Sequence, residues 1–536
     1  MGLVMWAAIL GACAAPPPDA ILFNGKIFTA NAAQPWAEAL AIRGERVIAV
    51  GDNATITAQA GSSTRRLDLG GRTVVPGFND AHVHVAPRPA GFRVSVPDEP
   101  STALVEQALA AADKDAPPGQ RLQVEIGAQV LDDPAVTRAW LDARVPNRPV
   151  MLHAYTGHGL ILNSAALVLL AVNESIQNPE GGRFERDASG RLNGRVEEYA
   201  EQLLWRRLTA RVPAADAPDA YVRFARDAVG LGITSVQEMG LGDRQAKVVA
   251  DLLKADPPIR WRALRFPMRE AGAELQDSKP IVPPQPGRRI DARGMKWILD
   301  GSPIERLAAL RAPYSDRPGT SGSMNLSTER LTQVVGWAYG SEDPLAVHAV
   351  GDAAIDAYLS ALEAAGRPET WRAKRPRLEH GDMLSPDLMA RAKTLGVVVV
   401  QNPAHFMLRD ALQARLGDAR MKAMQPFKSL VAAGFPVAIG SDGPLSPFLN
   451  IMFATLHPVN PPEALSREEA VVAYTRGSAF AEFAEKDKGH LSVGALADLA
   501  VLSADLFSVP TGQLPAINSV LTLVGGRTVH DTGVVR

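Results

Sequence analysis

Histidines and an aspartate follow apolar segments at several points of this 536-residue chain. His82 and His84 close one such segment, and residues two apart in a strand point to the same side, so both imidazoles can converge on one ion. His348 and His380 each end a further apolar run, and Asp442 follows another. A single His-x-His pair often arises by chance. Four histidines and an aspartate at strand ends, where barrel sites are built, predict a metal centre.

The other candidates follow weaker patterns. The chain's single cysteine, Cys13, excludes an intrachain disulfide and a thiolate metal cluster, so His, Asp, Glu or Lys must hold any metal. His153 and His405 are pocket candidates, and packing without a chemical role is an equally good interpretation of each. The remaining histidines lie in helical or terminal contexts, and we interpret them as structural: His457, His490 and His530.

The overall composition narrows the class of protein. With 56 basic and 58 acidic residues the net charge is −2, which gives no indication of a nucleic-acid partner. Hydrophobic residues make up 46% and charged residues 21% of the chain, as in ordinary soluble proteins. The length predicts one large domain with at least one smaller one. A small-molecule substrate is therefore the expected partner.

Residues 1–19 form a separate feature. The first twelve residues are almost wholly apolar, and Leu-Gly-Ala-Cys, which ends at Cys13, resembles the lipobox of a bacterial lipoprotein signal with a proline-rich tether after it. No Lys or Arg precedes the apolar run, so the usual basic segment is missing. Two interpretations stay open. Either Cys13 carries a lipid anchor on a periplasmic or membrane-anchored protein, or the segment is a frayed end of a cytoplasmic one.

Apolar strands alternate with Ala-rich amphipathic helices over most of the chain, which is typical of parallel α/β structure. The strand candidates end near His84, Glu125, His153, Glu238, Phe266, Asp300, Val350, His380, Gln401 and Ser441. Because these are more than eight, we predict a (β/α)₈ TIM-like barrel over residues 76–487 with an insertion around 130–215. Ser466 with Glu469 three residues later predicts a capping box that begins a helix.

Both ends of the chain have the pattern of short strands. Asn24-Gly25 between apolar residues predicts a hairpin, and residues 39–50 predict a second one. Similar strands occur near the C-terminus. Neither end is long enough for an independent β domain, so we predict one small β-sandwich that combines residues 20–75 with residues 488–536.

Further motifs are spread over nearly the whole chain. They include Gly-His-Gly at 157–159, Asn-Gly-Arg-Val-Glu-Glu at 193–198, Lys-Trp-Ile-Leu-Asp-Gly-Ser at 296–302, Val-His-Ala-Val-Gly-Asp at 347–352 and Gly-His-Leu-Ser-Val-Gly at 489–494. Together with the metal motifs, they resemble the amidohydrolase superfamily, specifically its amidohydrolase-3 branch with the YtcJ-like proteins. The resemblance implies a metal-dependent hydrolase, with a β-sandwich from both termini and a barrel that holds one or two divalent ions, usually zinc.

The resemblance also implies roles for individual residues. The implied metal ligands are His82, His84, Lys296, His348, His380 and Asp442. In this scheme the two first-strand histidines and Asp442 bind one ion, and the two later histidines bind the second. Lys296 is the lysine that can be carboxylated to bridge both ions. Asp442 also handles the proton of the reaction.

Lys296 has a physical argument of its own. It lies in an otherwise apolar, strand-like run, where burial would lower the pKa of its ammonium toward the neutral amine that reacts with CO₂. Two alternatives stay open at this point. The side chain could extend to solvent, or it could pair with Asp300 or Glu238.

The expected reaction is hydrolysis of a non-peptide C–N bond in an amide, N-formyl or cyclic amide substrate. His158 is expected to polarise the substrate carbonyl, His405 to line the pocket, and Glu198 to contact the substrate or lie on a solvated helix face. An ester or lactone hydrolase on the same scaffold is one alternative. A catalytically idle, metal-containing lipoprotein that captures a small ligand is another. Gln237-Glu238 stands where relatives often have His-Asp, a departure that bears on the substrate.

Overall fold

The computed structural model describes residues 16–85, 89–213, 215–240, 245–266 and 289–536. Cys13 and the apolar run before it lie outside these residues, so the lipid anchor stays a prediction. Within the described part of the chain, no helix combines the length and the apolar character that crossing a membrane requires.

Strands and helices alternate through the middle of the chain and strands dominate both ends. The strands are β1 (Ala20–Phe23), β2 (Lys26–Phe28), β3 (Trp36–Ala37), β4 (Ala39–Arg43), β5 (Arg46–Gly51), β6 (Arg65–Asp68), β7 (Thr73–Pro76), β8 (Phe78–Val83), β9 (Phe92–Val94), β10 (Leu122–Ile126), β11 (Val150–Ala154), β12 (Gly159–Leu162), β13 (Gly182–Arg186), β14 (Leu192–Glu198), β15 (Ile233–Met239), β16 (Arg260–Leu264), β17 (Ile290–Asp291), β18 (Met295–Ile298), β19 (Leu345–Ala349), β20 (Arg377–His380), β21 (Val398–Gln401), β22 (Ala438–Ile439), β23 (Leu499–Leu502), β24 (Ser519–Val524) and β25 (Arg527–Asp531). The helices are α1 (Asn53–Thr57), α2 (Thr102–Asp115), α3 (Ala128–Asp132), α4 (Arg138–Asp142), α5 (Ser164–Leu169), α6 (Tyr199–Thr209), α7 (Ala217–Gly230), α8 (Gln245–Ala255), α9 (Thr328–Gly340), α10 (Asp352–Ala365), α11 (Pro368–Lys374), α12 (Pro386–Leu395), α13 (Arg409–Leu416), α14 (Asp418–Ala423), α15 (Phe427–Ala432), α16 (Pro447–Leu456), α17 (Arg467–Val472) and α18 (Ser478–Ala481).

Parallel strands form the centre of the molecule, which is a TIM-barrel-like α/β fold. β15 pairs in parallel with both β8 and β16, and β18 to β22 pair in parallel in chain order. A parallel bridge between Arg265 and Met295 joins the two sets. On the opposite side of the two sets, the segment after β22 contacts β8, where the Asp442 N–H donates to the His82 carbonyl oxygen at 3.0 Å. β19, β20 and β21 are buried along their whole length, as expected for parallel strands covered on both faces.

A six-stranded mixed sheet lies in sequence between β8 and β15, in the order β13-β14-β12-β11-β10-β9. The two surplus strand candidates, which end near Glu125 and His153, belong to this sheet as β10 and β11. It begins at β9, well before the predicted start of the insertion near residue 130. The reason is the pairing: β9 pairs with β10, and β10 pairs with β11, rather than with the central strands.

The ends of the chain form two further sheets. One has the order β5-β4-β1-β6, and the other, β25-β24-β23-β7-β2-β3, combines strands from both termini. Apolar side chains from both sheets share one buried cluster, which includes Leu22, Leu40, Leu499 and Leu521. The hairpin predicted at Asn24-Gly25 is wrong, because β1 and β2 on either side pair in different sheets. The hairpin of β4 with β5 is confirmed.

Local capping follows the sequence closely in the helix that begins after Ser466. The Ser466 side chain accepts from the Glu469 N–H, and the Glu469 carboxylate accepts from the Ser466 N–H, so the predicted capping box is confirmed. The helix continues through a π-helical turn at Ala473–Gly477 into α18. This turn brings the Tyr474 hydroxyl to 2.6 Å from the Asp80 carboxylate, directly behind the carboxyl ends of the strands.

Candidate metal centre

Five of the six predicted ligands lie near the carboxyl ends of four parallel strands, and the sixth, Lys296, is the second residue of a fifth strand. Their positions are His82 in β8, His84 just beyond it, Lys296 in β18, His348 in β19, His380 at the last residue of β20 and Asp442 three residues after β22. Except for Lys296, which the buried Trp297 and Leu299 follow, each ligand comes at or close to the end of its strand. Parallel strands therefore place residues far apart in sequence around one cavity.

Asp442 is the centre of this group. Its Oδ1 lies 3.6 Å from His82 Nε2 and 3.4 Å from His84 Nε2. Its Oδ2 lies 3.5 Å from His405 Nε2 and 3.7 Å from His380 Nδ1. Burial alone would raise the pKa of the Asp442 carboxyl. The imidazoles, with His82 contributing most, outweigh burial and hold this pKa well below its usual range. Asp442 is therefore ionised at neutral pH.

The donor atoms fit a divalent metal ion. One ligand atom each from His82, His380 and Asp442 lie within 4.8 Å of one another. The buried Nε2 of His348 has no hydrogen-bond partner among the described residues, and its ring centroid is 4.4 Å from that of His380. Imidazole nitrogen and carboxylate oxygen together are a donor set that divalent transition metals prefer. The His84 side chain is half exposed, and its contact with the other candidate ligands is the one with the Asp442 carboxylate.

Lys296 is buried beside these residues, with Nζ 3.4 Å from His82 Nε2. Burial is the largest cause that lowers the pKa of the Lys296 ammonium to about 8. Burial rules out extension to solvent, and no carboxylate among the described residues forms an ion pair with Nζ within 4.0 Å. The Asp300 carboxylate instead accepts from the backbone N–H groups of Val350, Gly351 and Ala309. Both alternatives for Lys296 are therefore wrong in this structure.

Two of these residues have a left-handed backbone. φ is +69° at His380 and +39° at Asp442, values that non-glycine residues rarely adopt. Each such conformation costs on the order of 1–3 kcal/mol and is found mainly where the surrounding structure holds a functional group in place. At His380 this conformation coincides with the end of β20, at Asp442 it lies three residues after β22, and both side chains line the shared cavity.

His158, which lines the same cavity, forms a second polar group with the buried Glu198, which is not among the described lining residues. His158 Nδ1 lies 3.0 Å from Glu198 Oε1, while Glu198 Oε2 accepts from Asn325 Nδ2 at 2.7 Å. Burial lowers the pKa of His158, but the Glu198 carboxylate outweighs burial and raises this pKa to about 9. The His158 ring centroid is 5.1 Å from that of His348. Glu198 is thus buried and contacts His158. The alternative interpretation, in which Glu198 lies on a solvated helix face, is therefore excluded.

His405 and His153 also line the cavity. His405 lies between two carboxylates, with Nδ1 3.7 Å from Asp382 Oδ2 and Nε2 3.5 Å from Asp442 Oδ2. Against the effect of burial, these carboxylates raise the pKa of His405 to about 10. His153 Nε2 lies 3.6 Å from Glu201 Oε1, farther from the Asp442 group. The whole cavity has a volume of about 1150 Å³.

The pattern of residues 65–530 matches the model of the amidohydrolase family. The chain belongs to this family. The resemblance seen in the sequence is confirmed, and the protein is a hydrolase that acts on carbon–nitrogen bonds.

This amidohydrolase has full-length relatives. It is 28% identical to the putative amidohydrolase YtcJ of Bacillus subtilis, over 96% of this chain and 99% of the relative. It is 27% identical to an N-substituted formamide deformylase of Arthrobacter pascens, over 95% of this chain and 97% of the relative. Among solved structures, an uncharacterised metal-dependent hydrolase from Pyrococcus furiosus aligns at a TM-score of 0.70 with 26% identity, covering 91% of this chain and 100% of that one.

The remaining histidines of the amidohydrolase bond to the backbone. His457 Nε2 contacts the Gln425 carbonyl oxygen, His490 Nε2 that of Glu485 and His530 Nε2 that of Ser519, each at 3.1 Å. None of the three lines the cavity among the described residues. These contacts agree with the structural roles that their sequence contexts predict.

Sequence reasoning missed Glu379, which holds His82. Glu379 Oε2 lies 2.7 Å from His82 Nδ1, and Glu379 Oε1 accepts from Arg377 Nε at 2.7 Å. Arg377 in turn donates to Gln237 and to the Ala81 carbonyl oxygen. Burial alone would raise the pKa of the Glu379 carboxyl, but Arg377 and His82 outweigh burial and hold this pKa well below its usual range. The signal was present: Arg377 and Glu379 alternate with Leu378, so two charges share one face of a buried strand.

Replacing Glu379 with Gln is expected to weaken metal binding by about 10- to 100-fold, the usual cost of losing a carboxylate that orients a histidine ligand. The neutral amide would accept a weaker hydrogen bond from His82 and would leave the Arg377 charge uncompensated. Competition with a coloured chelator measures the affinity. Glu482→Gln is the matched control, because Glu482 is a buried glutamate that pairs with Lys488 away from the ligands. Equal affinities for the two variants would contradict the orienting role.

Proposed function

We propose that this amidohydrolase is a metal-dependent hydrolase of a non-peptide C–N bond in an amide, N-formyl or cyclic amide substrate. The observation that carries the proposal is the convergence of His82, His380 and Asp442 ligand atoms within 4.8 Å at the carboxyl ends of parallel strands. The relative from Arthrobacter pascens, a deformylase of N-substituted formamides, supports this bond type.

The proposal includes the finer features of the fold. We propose that the eight parallel strands β8, β15, β16 and β18 to β22 close into a (β/α)₈ barrel, and that the terminal sheets form a β-sandwich of residues 20–75 with 488–536. The Asp442 to His82 backbone hydrogen bond supports closure. The cluster of buried residues shared by both terminal sheets supports the sandwich.

The metal would be zinc, as one or two ions held by His82, His84, His348, His380, Asp442 and a carboxylated Lys296. A bound divalent ion supplies a water of lowered pKa and polarises the carbonyl under attack. Asp442, ionised and exposed to the cavity, accepts the proton of the attacking water and returns it to the leaving nitrogen. His158, protonated at neutral pH, donates to the carbonyl oxygen of the substrate. His405 supports Asp442 through the contact at 3.5 Å.

A chelator experiment tests this function. The purified protein is treated with a chelator, dialysed, and assayed against N-formyl amines, anilides, cyclic amides, esters and lactones with and without added Zn²⁺. Hydrolysis of the C–N substrates should disappear with the chelator and return with Zn²⁺. Faster turnover of the esters and lactones would favour the ester-hydrolase alternative. A protein that binds Zn²⁺ and hydrolyses none of the panel would contradict the proposal.

Replacing both His82 and His84 with Ala should remove at least one metal equivalent per chain, because both imidazoles meet the Asp442 carboxylate at 3.4–3.6 Å. Elemental analysis of the purified variant gives the stoichiometry. A double variant of His490 and His530, which bond to backbone carbonyls, is the control and should keep its metal. Unchanged stoichiometry in the first variant would show that the first-strand pair does not bind metal.

A further inference from the structure

Glu238 is a buried carboxylate on the cavity wall with one of its oxygens unused. It is the penultimate residue of β15, with 0% of the residue exposed, and it lines the same cavity as the candidate ligands. Its Oε2 accepts from the Val85 N–H at 2.6 Å. Its Oε1 has no hydrogen-bond partner in the part of the chain that the structure describes.

Burying a carboxylate with so few hydrogen-bond donors lowers the free energy of unfolding. A buried carboxylate is stable only with a cation or a full set of donors, and Glu238 has one backbone N–H. Burial accordingly raises the pKa of Glu238 to about 8. The neighbouring Gln237 shows the contrast, because its amide contacts Arg377 and the Ser478 carbonyl oxygen. Without a ligand Glu238 is therefore mainly protonated at neutral pH, and a cation bound at its unused oxygen would stabilise the ionised form.

Aromatic side chains line the same cavity. Tyr221, Phe224 and Phe266 all contribute to its wall. The buried Tyr221 hydroxyl also has no hydrogen-bond partner among the described residues, and Glu238 adds to the effect of burial in raising the pKa of Tyr221. Aromatic faces attract cations, and a carboxylate among them is the usual way to bind a protonated amine.

The charge of the whole cavity agrees with a cation. The described lining residues include nine aspartates and glutamates, against four lysines and arginines and two histidines of raised pKa, His158 and His405. A concave surface with this excess of negative charge concentrates positive ligands. Most of the other carboxylates have partners on the protein, as Glu125 has with Arg93 at 2.7 Å. Among the described lining carboxylates, Glu238 and Asp382 each have a buried oxygen without a hydrogen-bond partner, and the other oxygen of Asp382 already faces His405 Nδ1 at 3.7 Å.

We propose that Glu238, with aromatic residues that line the same cavity, binds a protonated amine on the substrate. The inference rests on the proposed function and narrows its substrate class to amides or N-formyl amines that carry a second, cationic nitrogen. The Val85 N–H that holds Glu238 directly follows His84, so the amine site adjoins the candidate metal centre. One end of a short substrate can therefore lie at Glu238 while its scissile bond lies at Asp442.

Binding measured without turnover tests the amine site. Benzylammonium and its neutral analogue benzyl alcohol are titrated calorimetrically into the wild-type protein and into Glu238→Gln. We expect the wild type to prefer benzylammonium by about 10- to 100-fold, the range for a charge-assisted hydrogen bond, and the variant to lose that preference. Glu238→Asp, which keeps the charge, should retain part of it. Glu125→Gln, the same change at a carboxylate already paired, should retain all of it.

The outcomes separate this inference from the proposed function. Equal affinity of the wild type for the two probes overturns the amine site and needs no variant, so misfolding of Glu238→Gln cannot hide the result. The same holds if Glu238→Gln keeps the ammonium preference. A second arm compares kcat/KM for N-formyl-1,4-diaminobutane and N-formylpentylamine, and a cationic preference that depends on Glu238 supports the site. An ammonium preference in a protein that hydrolyses no amide would overturn the proposed function alone.

Discussion

Asp442→Asn is expected to lower kcat by at least ~10²-fold while the fold and most metal binding remain, since that is the smaller loss typical of a positioned acid–base group. Asparagine has nearly the same size and keeps one oxygen for the four imidazoles around it. It cannot accept a proton. The surrounding imidazoles hold the pKa of Asp442 well below its usual range, so the wild-type carboxylate is ionised at neutral pH and has an oxygen that can accept a proton.

The measurement is kcat at full metal occupancy, with metal content determined on the same sample. Asp410→Asn is the matched control, because Asp410 lines the same cavity but is exposed and pairs with Arg409. Its kcat should be close to that of the wild type. Near-normal turnover of Asp442→Asn with full metal would show that another group carries the proton, and His405 at 3.5 Å would be the first to examine.

The positions of the strand ends could be predicted from the sequence. Each of the ten predicted ends lies within two residues of a strand end in the structure; Phe266, for example, follows β16 by two residues and His380 is the last residue of β20. Buried parallel strands are short apolar runs, so a polar residue or a glycine marks the end of each one. The candidate ligands were visible for the same reason.

The pairing of strands that are distant in sequence could not be predicted, although the local hairpin of β4 with β5 could. Asn24-Gly25 reads locally as a hairpin, yet β1 and β2 pair in different sheets, because β6 and β7 offer parallel partners some 45 residues later. Segment 92–126 likewise pairs with β11 of the inserted sheet instead of the central strands. Pairing is decided by tertiary contacts between distant segments, and local patterns do not encode it.

The contacts within the site could be predicted in part, unlike the strand ends, which could be predicted, and the distant strand pairings, which could not. Asp80 and His82 share one face of β8, and the sequence shows that spacing, but only the structure shows that Asp80 accepts from the Ser441 N–H at 2.8 Å. The positive φ at His380 and Asp442 has no sequence signal, since neither residue is glycine. The unused oxygen of Glu238 is also a property of packing. Residue types at strand ends thus predict what a site can bind, and packing decides which of those groups are available.

Lys296→Ala is expected to remove the second metal ion and to lower kcat/KM by at least ~10²-fold, about 2.7 kcal/mol of transition-state stabilisation. Lys296 is buried, its pKa is lowered to about 8, and it has no carboxylate partner within 4.0 Å among the described residues. An appreciable fraction is therefore the neutral amine at pH 7–8. Under the proposed function, that amine would add to CO₂ and release one proton, giving a carbamate with two oxygens beside His82 and the ionised Asp442.

Chemical rescue distinguishes this role from a loss of packing. Short carboxylic acids such as acetate or propionate, added with bicarbonate to Lys296→Ala, should enter the space left by the side chain and partly restore both the second metal and activity. Lys488→Ala is the matched control: Lys488 is also buried, but it pairs with Glu482 and Ser235, so its loss should lower stability without changing metal stoichiometry or responding to acids. If Lys296→Ala keeps two metals and full turnover, Lys296 does not bridge. A one-metal centre of His82, His84, His380 and Asp442 would then be the better account, because those side chains meet at Asp442 without any contribution from the lysine.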